Sequence, residues 1–155
     1  MTSLPTEGNR GTGRVEAEAE RAVAVDDPFR TRTGTLLGSE EALIDRDRLM
    51  EYVLDPNHTD GGHKALVFDR VLGFNRLAVD RLIASIREGI RPTPAIFGKI
   101  NQYGSHFRVD LLLTGPNGRQ ATVRSNWVFR PGRAAPELMT VFVRRRRNNA
   151  EASIP

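Results

Sequence analysis

The spacing of apolar residues changes along this chain, from a helical period before residue 92 to strict alternation after it. Three helices are predicted in the first part: one capped by Asp45 and broken by Asp55-Pro56, one that opens at Asp60-Gly61-Gly62 and closes at Gly73, and one that follows Asn75. The apolar faces of these helices are formed by Leu49, Tyr52 and Val53, by Ala65, Phe68 and Leu72, and by Leu77, Leu82, Ile83 and Ile86.

The second part of the chain has the period-two pattern of half-buried strands. Apolar residues at 107, 109, 111 and 113 alternate with His106, Arg108 and Asp110, and the Gly-Pro-Asn-Gly of residues 115–118 is typical of a hairpin turn. Strands at 96–101, 121–129 and 138–143 complete a predicted four-stranded antiparallel meander. Helices followed by strands favour an α+β fold, with about three N-terminal helices packed on the apolar face of one sheet.

The other face of the predicted sheet carries arginines and hydroxyls on neighbouring strands. Such a cluster can hold phosphates through bidentate and hydrogen-bonded contacts. It is also what any half-solvated sheet exposes to water, and the sequence leaves both interpretations open. The residues of this open face are His106, Arg108, Thr122, Arg124, Asn126 and Arg130, with Tyr103 at one end.

The net charge of +4 is concentrated at the C-terminus. Residues 1–35 carry six acidic and five basic residues, and residues 36–129 carry eleven acidic and twelve basic residues. Residues 130–155 carry two acidic and six basic residues, and four of these six bases form the run Arg144 to Arg147. The body of the domain is therefore nearly neutral. Any recognition of nucleic acid must depend on a local arrangement of cations, with the arginine run adding non-specific attraction or keeping the chain end soluble.

Composition limits the organisation and the chemistry. Residues 1–35 have few large apolar side chains and are expected to form a disordered leader, residues 36–144 a single domain, and residues 145–155 a basic, frayed tail. The absence of cysteine excludes thiolate chemistry, and three histidines without ligand spacing predict neither metal nor cofactor. No membrane span or Sec-type signal is recognisable, so we expect a cytoplasmic location in the producing or a target cell, with non-Sec export left open.

Several short motifs, in order over about residues 40–143, resemble an uncharacterised bacterial domain family. Its members occur as free-standing proteins and as the C-terminal toxin tip of filamentous-haemagglutinin-type contact-dependent inhibition proteins. Thr59 and Asn126 depart from the family pattern, which has proline and alanine at these places. The matching stretches are Leu54 to His58, Gly61 to Ala65 with Phe68, Leu72-Gly73, Gln102 to Gly104, Thr114 to Arg119, Thr122 to Arg124, Trp127-Val128 and Leu138 to Thr140.

The resemblance implies a toxin-like nuclease with the architecture of the barnase, EndoU, colicin and RelE fold group. Metal-independent RNA cleavage needs a base for the ribose 2′-hydroxyl, an acid for the leaving 5′-oxygen, and cations for the phosphorane. His63 and Lys64, after Gly61 and Gly62 at a helix start, are one candidate set for this work. His63 can equally be an ordinary helix-start residue, and Lys64 a solvated one.

The open face supplies the second candidate set. His106 and Tyr103 are acid–base candidates, and Arg124 is the first choice for charge stabilisation, with Arg108, Thr122 and Arg130 as phosphate ligands. By strand parity Ser125 and Trp127 face the core, although a tryptophan can also stack on a base.

The leading prediction is therefore an RNase-like bacterial toxin domain that cuts RNA, with tRNA one candidate, and that has a cognate immunity or antitoxin protein. Two alternatives stay open. The same face could bind nucleic acid without turnover, or the domain could serve only as a protein-interaction module.

Overall fold

The computed structural model describes residues 27–59 and 62–144. The first helix, α1, begins as an α-helical turn at Arg46–Arg48 and continues as a π-helix over Leu49–Val53. As predicted, Asp45 caps it, because its carboxylate accepts a hydrogen bond from the Arg48 amide at 3.2 Å. The π-helical part ends where the Leu54 amide donates to the Leu49 carbonyl, five residues back.

The other two helices are longer. Helix α2 spans Gly62–Leu72, and helix α3 spans Val79–Ile90 after a 3₁₀ turn at Arg76–Ala78. Asn75 caps that turn through the Leu77 amide. The prediction that Leu77 lies on a buried helix face is wrong: it sits in the turn and is 98% exposed, because the helix that buries Leu82 and Ile86 starts only at Val79.

Four strands follow and form the predicted antiparallel meander. They are β1 (Ile96–Asn101), β2 (Gly104–Thr114), β3 (Gln120–Phe129) and β4 (Glu137–Val143), in the spatial order β1-β2-β3-β4. Helix α3 packs mainly on β2, and α2 packs on β3 and β4. The chain thus has the α+β fold that the order of periodicities predicts.

The core lies between the helices and one face of the sheet. Trp127 is completely buried there, and its indole N–H donates at 2.9 Å to the Ser125 hydroxyl, which in turn donates at 2.7 Å to the Val109 carbonyl. This chain of hydrogen bonds satisfies both polar groups inside an apolar layer. The prediction that Ser125 and Trp127 are structural is confirmed.

The β2–β3 hairpin turn is joined to the end of α2. The Asn117 side-chain amide donates to the Val71 carbonyl at 3.1 Å, and its oxygen accepts from the Arg119 amide at 2.9 Å. Gly115 lies so close that a methyl group there would overlap the Leu72 carbonyl, and Gly73 turns away from the helix with φ of 80°. Gly73, Gly115 and Asn117 therefore hold the end of α2 and the β2–β3 turn together.

Packing begins upstream of residue 36. We call residues 27–36 the N-terminal strap. Its Phe29 ring lies 4.9 Å from the ring of Phe129 and 5.8 Å from that of Phe107, and Arg30 donates to the Ala95 carbonyl at 3.2 Å. Residues 27–35, which the sequence analysis places in the leader, thus contact the sheet.

The rest of that leader, residues 1–26, lies outside the described residues, as do Asp60, Gly61 and the tail from residue 145. Within residues 27–59 and 62–144, no helix combines the length and apolarity needed to cross a membrane.

Candidate functional site

The open face of the sheet, opposite the helices, forms a cleft of about 540 Å³. It extends across all four strands, and its floor comes from β2 and β3, where alternation turns every second side chain away from the core. We call it the open-face cleft. Its lining residues are Gly98, Lys99, His106, Phe107, Arg108, Arg124, Asn126, Met139, Thr140 and Phe142.

Arg108 is the cleft residue with an unsatisfied group. Its Nε atom is buried and has no hydrogen-bond partner, and the described part of the chain offers Arg108 no ion pair. Arg108 is therefore a cleft arginine that no carboxylate of the described residues holds.

Arg124 is already engaged. Its guanidinium makes a bidentate contact with Asp110, Nε to Oδ1 at 2.9 Å and Nη2 to Oδ2 at 3.1 Å, and Arg144 reaches the same carboxylate at 3.3 Å. The hydrogen bond from Arg124 is the main reason that the pKa of Asp110 lies below its usual value, so this carboxylate is charged at neutral pH. Part of the positive charge expected from Arg124 is neutralised inside the protein.

His106 is set up as a neutral imidazole. Burial, and then the charges of Lys99 and Arg130, hold its pKa below the ordinary value. Its Nε2 lies 3.0 Å from Asn101 Oδ1, which also accepts the Tyr103 amide at 2.9 Å. Because that oxygen can only accept, Nε2 carries the ring proton and Nδ1 keeps a free lone pair.

Lys64 reaches the border of the cleft from the start of α2. Its Nζ lies 4.6 Å from the centre of the Phe142 ring, and that ring lines the cleft. His63, one residue earlier, is exposed and does not line the cleft. The structure therefore brings Lys64, but not His63, to the edge of the open face.

The remaining predicted ligands lie outside the cleft. The Gly62 amide donates to the His58 carbonyl at 2.9 Å and is not free for a phosphate. Arg130 pairs with Glu137 at 2.7 Å, Thr122 lies opposite Leu112 beyond the cleft, and Tyr103 is exposed in the β1–β2 turn. Gly61 is not described.

Sequence reasoning missed the parts of this cleft that depend on pairing. Lys99 pairs with His106 across β1 and β2, and Asp110 pairs with Arg124 across β2 and β3. The second pair could have been predicted from the sequence, because Asp110 and Arg124 are equally far from the hairpin turn and share a face. The first was not, since the register of β1 shifts between Phe97 and Lys99. No group of His, Cys, Asp or Glu suited to a metal ion occurs in the described ranges.

The fold and the cleft define an α+β domain with a basic site on a single-layer sheet. A model of the family described as Domain of unknown function (DUF6883) matches residues 35–145. The chain belongs to this family, since the match covers well over half of it.

The fold is also found in a solved structure. One chain of a contact-dependent growth inhibition toxin–immunity protein complex from Klebsiella pneumoniae 342 is similar, with a TM-score of 0.51 and 16% sequence identity. The alignment covers 66% of this chain and 99% of that chain. At this identity the likeness establishes a shared fold. No curated protein sequence matches the chain.

Proposed function

We propose that this protein is a bacterial toxin domain of the contact-dependent inhibition type that cleaves RNA, tRNA included, in the open-face cleft. The observation that carries the proposal is the placement of the unpartnered Arg108 Nε beside a neutral His106 in a cleft with two further cations, Lys99 and Arg124. The likeness to a chain of a toxin–immunity complex supports the toxin part.

The chemistry assigns one task to each group. His106 Nδ1 takes the proton of a ribose 2′-hydroxyl, whose oxygen attacks the adjacent phosphorus. Arg108 and Lys99 bind the phosphorane oxygens that gain negative charge, and Lys64 at the rim holds a neighbouring phosphate. The 5′-oxygen leaves with a proton from a solvent water, and the protonated His106 returns its proton to the hydroxide formed, which yields a 2′,3′-cyclic phosphate and a 5′-hydroxyl and restores the neutral imidazole. The nucleophile belongs to the substrate, so the step requires no metal-activated water.

The direct test incubates the purified chain with bacterial tRNA in EDTA and analyses the new ends. We expect fragments with cyclic phosphate ends, and a loss of cleavage of about 100-fold or more in Arg108→Ala, the size typical for one transition-state donor. Arg81→Ala is the matched control, because it removes an exposed arginine from α3 on the other side of the sheet. Equal activity of the two variants would refute the assigned site.

The substrate places the activity in the cytoplasm, of a target cell or of the producing cell, where RNA is available. A cognate immunity protein would then protect the producing cell. Expression of the chain in bacteria should stop growth, and Arg108→Ala should relieve that effect while the protein stays folded. Harmless expression of the unaltered, folded chain would contradict the toxin assignment.

A non-catalytic binding module is the second candidate. The observation that favours it is that Arg124 and Arg130 are both tied to carboxylates, which leaves fewer free cations than an open arginine face would offer. In that case the chain binds tRNA with the shallow salt dependence expected of few phosphate contacts and leaves it intact.

A further inference from the structure

Strand β1 presents apolar side chains that the described chain covers only in part. Its Phe97 pairs with Phe107 and its Ile100 with Ser105, so both lie on the face of the sheet that the helices cover elsewhere. Phe107 is 3% exposed, whereas Phe97 is 46% and Ile100 70% exposed. The helical layer thus ends before it reaches β1, and the inner face of this strand is partly open to solvent, although the Phe97 ring lies 5.6 Å from the ring of Phe107.

The outer edge of β1 is also unpaired among the described residues. The Ala95 amide donates to the Gly34 carbonyl just before the strand, but no described segment pairs with the outer edge of Ile96–Asn101. At the opposite end of the sheet, β4 is capped by Leu43, which exchanges hydrogen bonds of 2.9 Å with the Pro136 carbonyl and the Leu138 amide. Within the described residues, the β4 edge is therefore partly paired, whereas the β1 edge is not.

The charged residues of β1 and of the chain on either side of it are all basic, and the one nearby acid of the N-terminal strap, Asp27, is paired with Arg30. No acidic residue occurs between Glu88 and Asp110, a stretch that contains Arg91, Lys99 and Arg108. Pairing with a second copy, strand against strand and centred on β1, would bring two Lys99 side chains close together, and like charges across a ladder are destabilising. The charge pattern thus favours an acidic partner over a second copy.

We propose that β1 is the docking edge for an acidic partner protein, which adds a strand beside it and covers Phe97 and Ile100 with apolar side chains. A bulge and a lysine on an edge strand discourage indiscriminate pairing, and β1 has both, the bulge between Phe97 and Lys99 and Lys99 itself. The edge therefore selects a partner that offers carboxylates to Lys99. Gly98 and Lys99 also line the open-face cleft, so a bound partner lies at its border and hinders access to it.

This inference rests on the proposed function only for the choice of probe, which is a small acidic protein encoded next to this chain, the expected form of a cognate immunity protein. The two purified proteins are titrated by calorimetry without RNA. Ile100→Glu should weaken binding at least tenfold, since it puts a charge on the apolar face against an acidic partner. Leu77→Glu is the matched control: it places the same charge on an exposed leucine of the Arg76–Ala78 turn and should leave binding unchanged. Amide exchange at 96–101 should slow in the complex.

Four results would overturn the inference. The first is absence of binding, and the second is an equal effect of Ile100→Glu and Leu77→Glu on binding. The third is a concentration-dependent dimer of this chain that Ile100→Glu abolishes. The fourth is that the amides of residues 96–101 are already protected from exchange in the free chain and lose that protection when residues 1–26 are removed. The last two would assign the edge to a second copy or to the chain's own N-terminus.

The inference and the proposed function can fail separately. Binding that depends on β1 in a protein that does not cut RNA would refute only the nuclease. RNA cleavage with binding indifferent to Ile100→Glu would refute only the docking edge.

Discussion

The arginines of the open face differ in what they can still bind. Arg124 and Arg130 are paired with Asp110 and Glu137, whereas the buried Nε of Arg108 has no hydrogen-bond partner among residues 27–59 and 62–144. Partly exposed ion pairs of this kind contribute little to stability, typically 0 to about 1 kcal/mol, yet they decide which guanidinium is available to a ligand. We therefore expect Arg108 to bind phosphate more readily than Arg124, whose charge is shared with Asp110.

At the same scale, the lowered pKa of His106 predicts a specific pH response. Lys99→Ala removes a positive charge that disfavours imidazolium, so the pKa of His106 should rise and its protonated form should persist to higher pH. NMR titration of the His106 ring measures this without any substrate. If His106 is the base, the acid limb of RNA cleavage moves to higher pH by the same amount.

Lys64→Ala is the control for that titration, because Lys64 is not among the groups that shift His106. It should leave the midpoint unchanged. A His106 midpoint that Lys99→Ala leaves in place, or lowers, would contradict the electrostatic role of Lys99.

At the scale of elements, Gly73, Gly115 and Asn117 join the end of α2 to the β2–β3 hairpin. Gly115→Ala should destabilise the fold by several kcal/mol, since the new methyl group overlaps the Leu72 carbonyl and neither the helix end nor the turn can move freely. Urea unfolding followed by circular dichroism measures the change in the free energy of unfolding.

Gly132→Ala is the comparison for Gly115→Ala. Gly132 has φ of 77° and open space around it, so alanine there costs only the backbone strain, about 1–2 kcal/mol. A loss at Gly115 no larger than the loss at Gly132 would show that the junction adapts.

At the scale of the whole molecule, the folded unit includes the N-terminal strap. A chain that starts at residue 36 should be less stable than one that starts at residue 27, by about 2 kcal/mol, because the Phe29 ring and its contacts with Phe107 and Phe129 are lost. Thermal and urea unfolding of the two chains check this.

Phe29→Ala in the full chain separates the ring from the rest of the strap. It should reproduce most of the loss, since the ring supplies the apolar contacts. Equal stability of the chains that start at 27 and at 36 would place the boundary of the stable domain where the sequence alone puts it.

The order and type of elements followed from the sequence because they depend on local periodicity. Helical spacing in 45–90, alternation after 96 and the turn residues at 115–118 predicted three helices and a four-stranded meander, and the structure has both. Leu77 was misplaced because an apolar residue in a capped turn continues the helical pattern without joining the helix. The burial of Trp127 and Ser125 followed from strand parity.

For the candidate site as well, local patterns in the sequence predicted one part and only the tertiary structure decided the other. The sequence placed His106, Arg108 and Arg124 on one face, since parity along a strand is a local property. Only the tertiary structure decided that Lys99 lies beside His106, that Lys64 reaches Phe142 and that β1 lies beyond the helical layer. Those facts depend on register, on a bulge and on the extent of packing between distant segments, which no local pattern encodes.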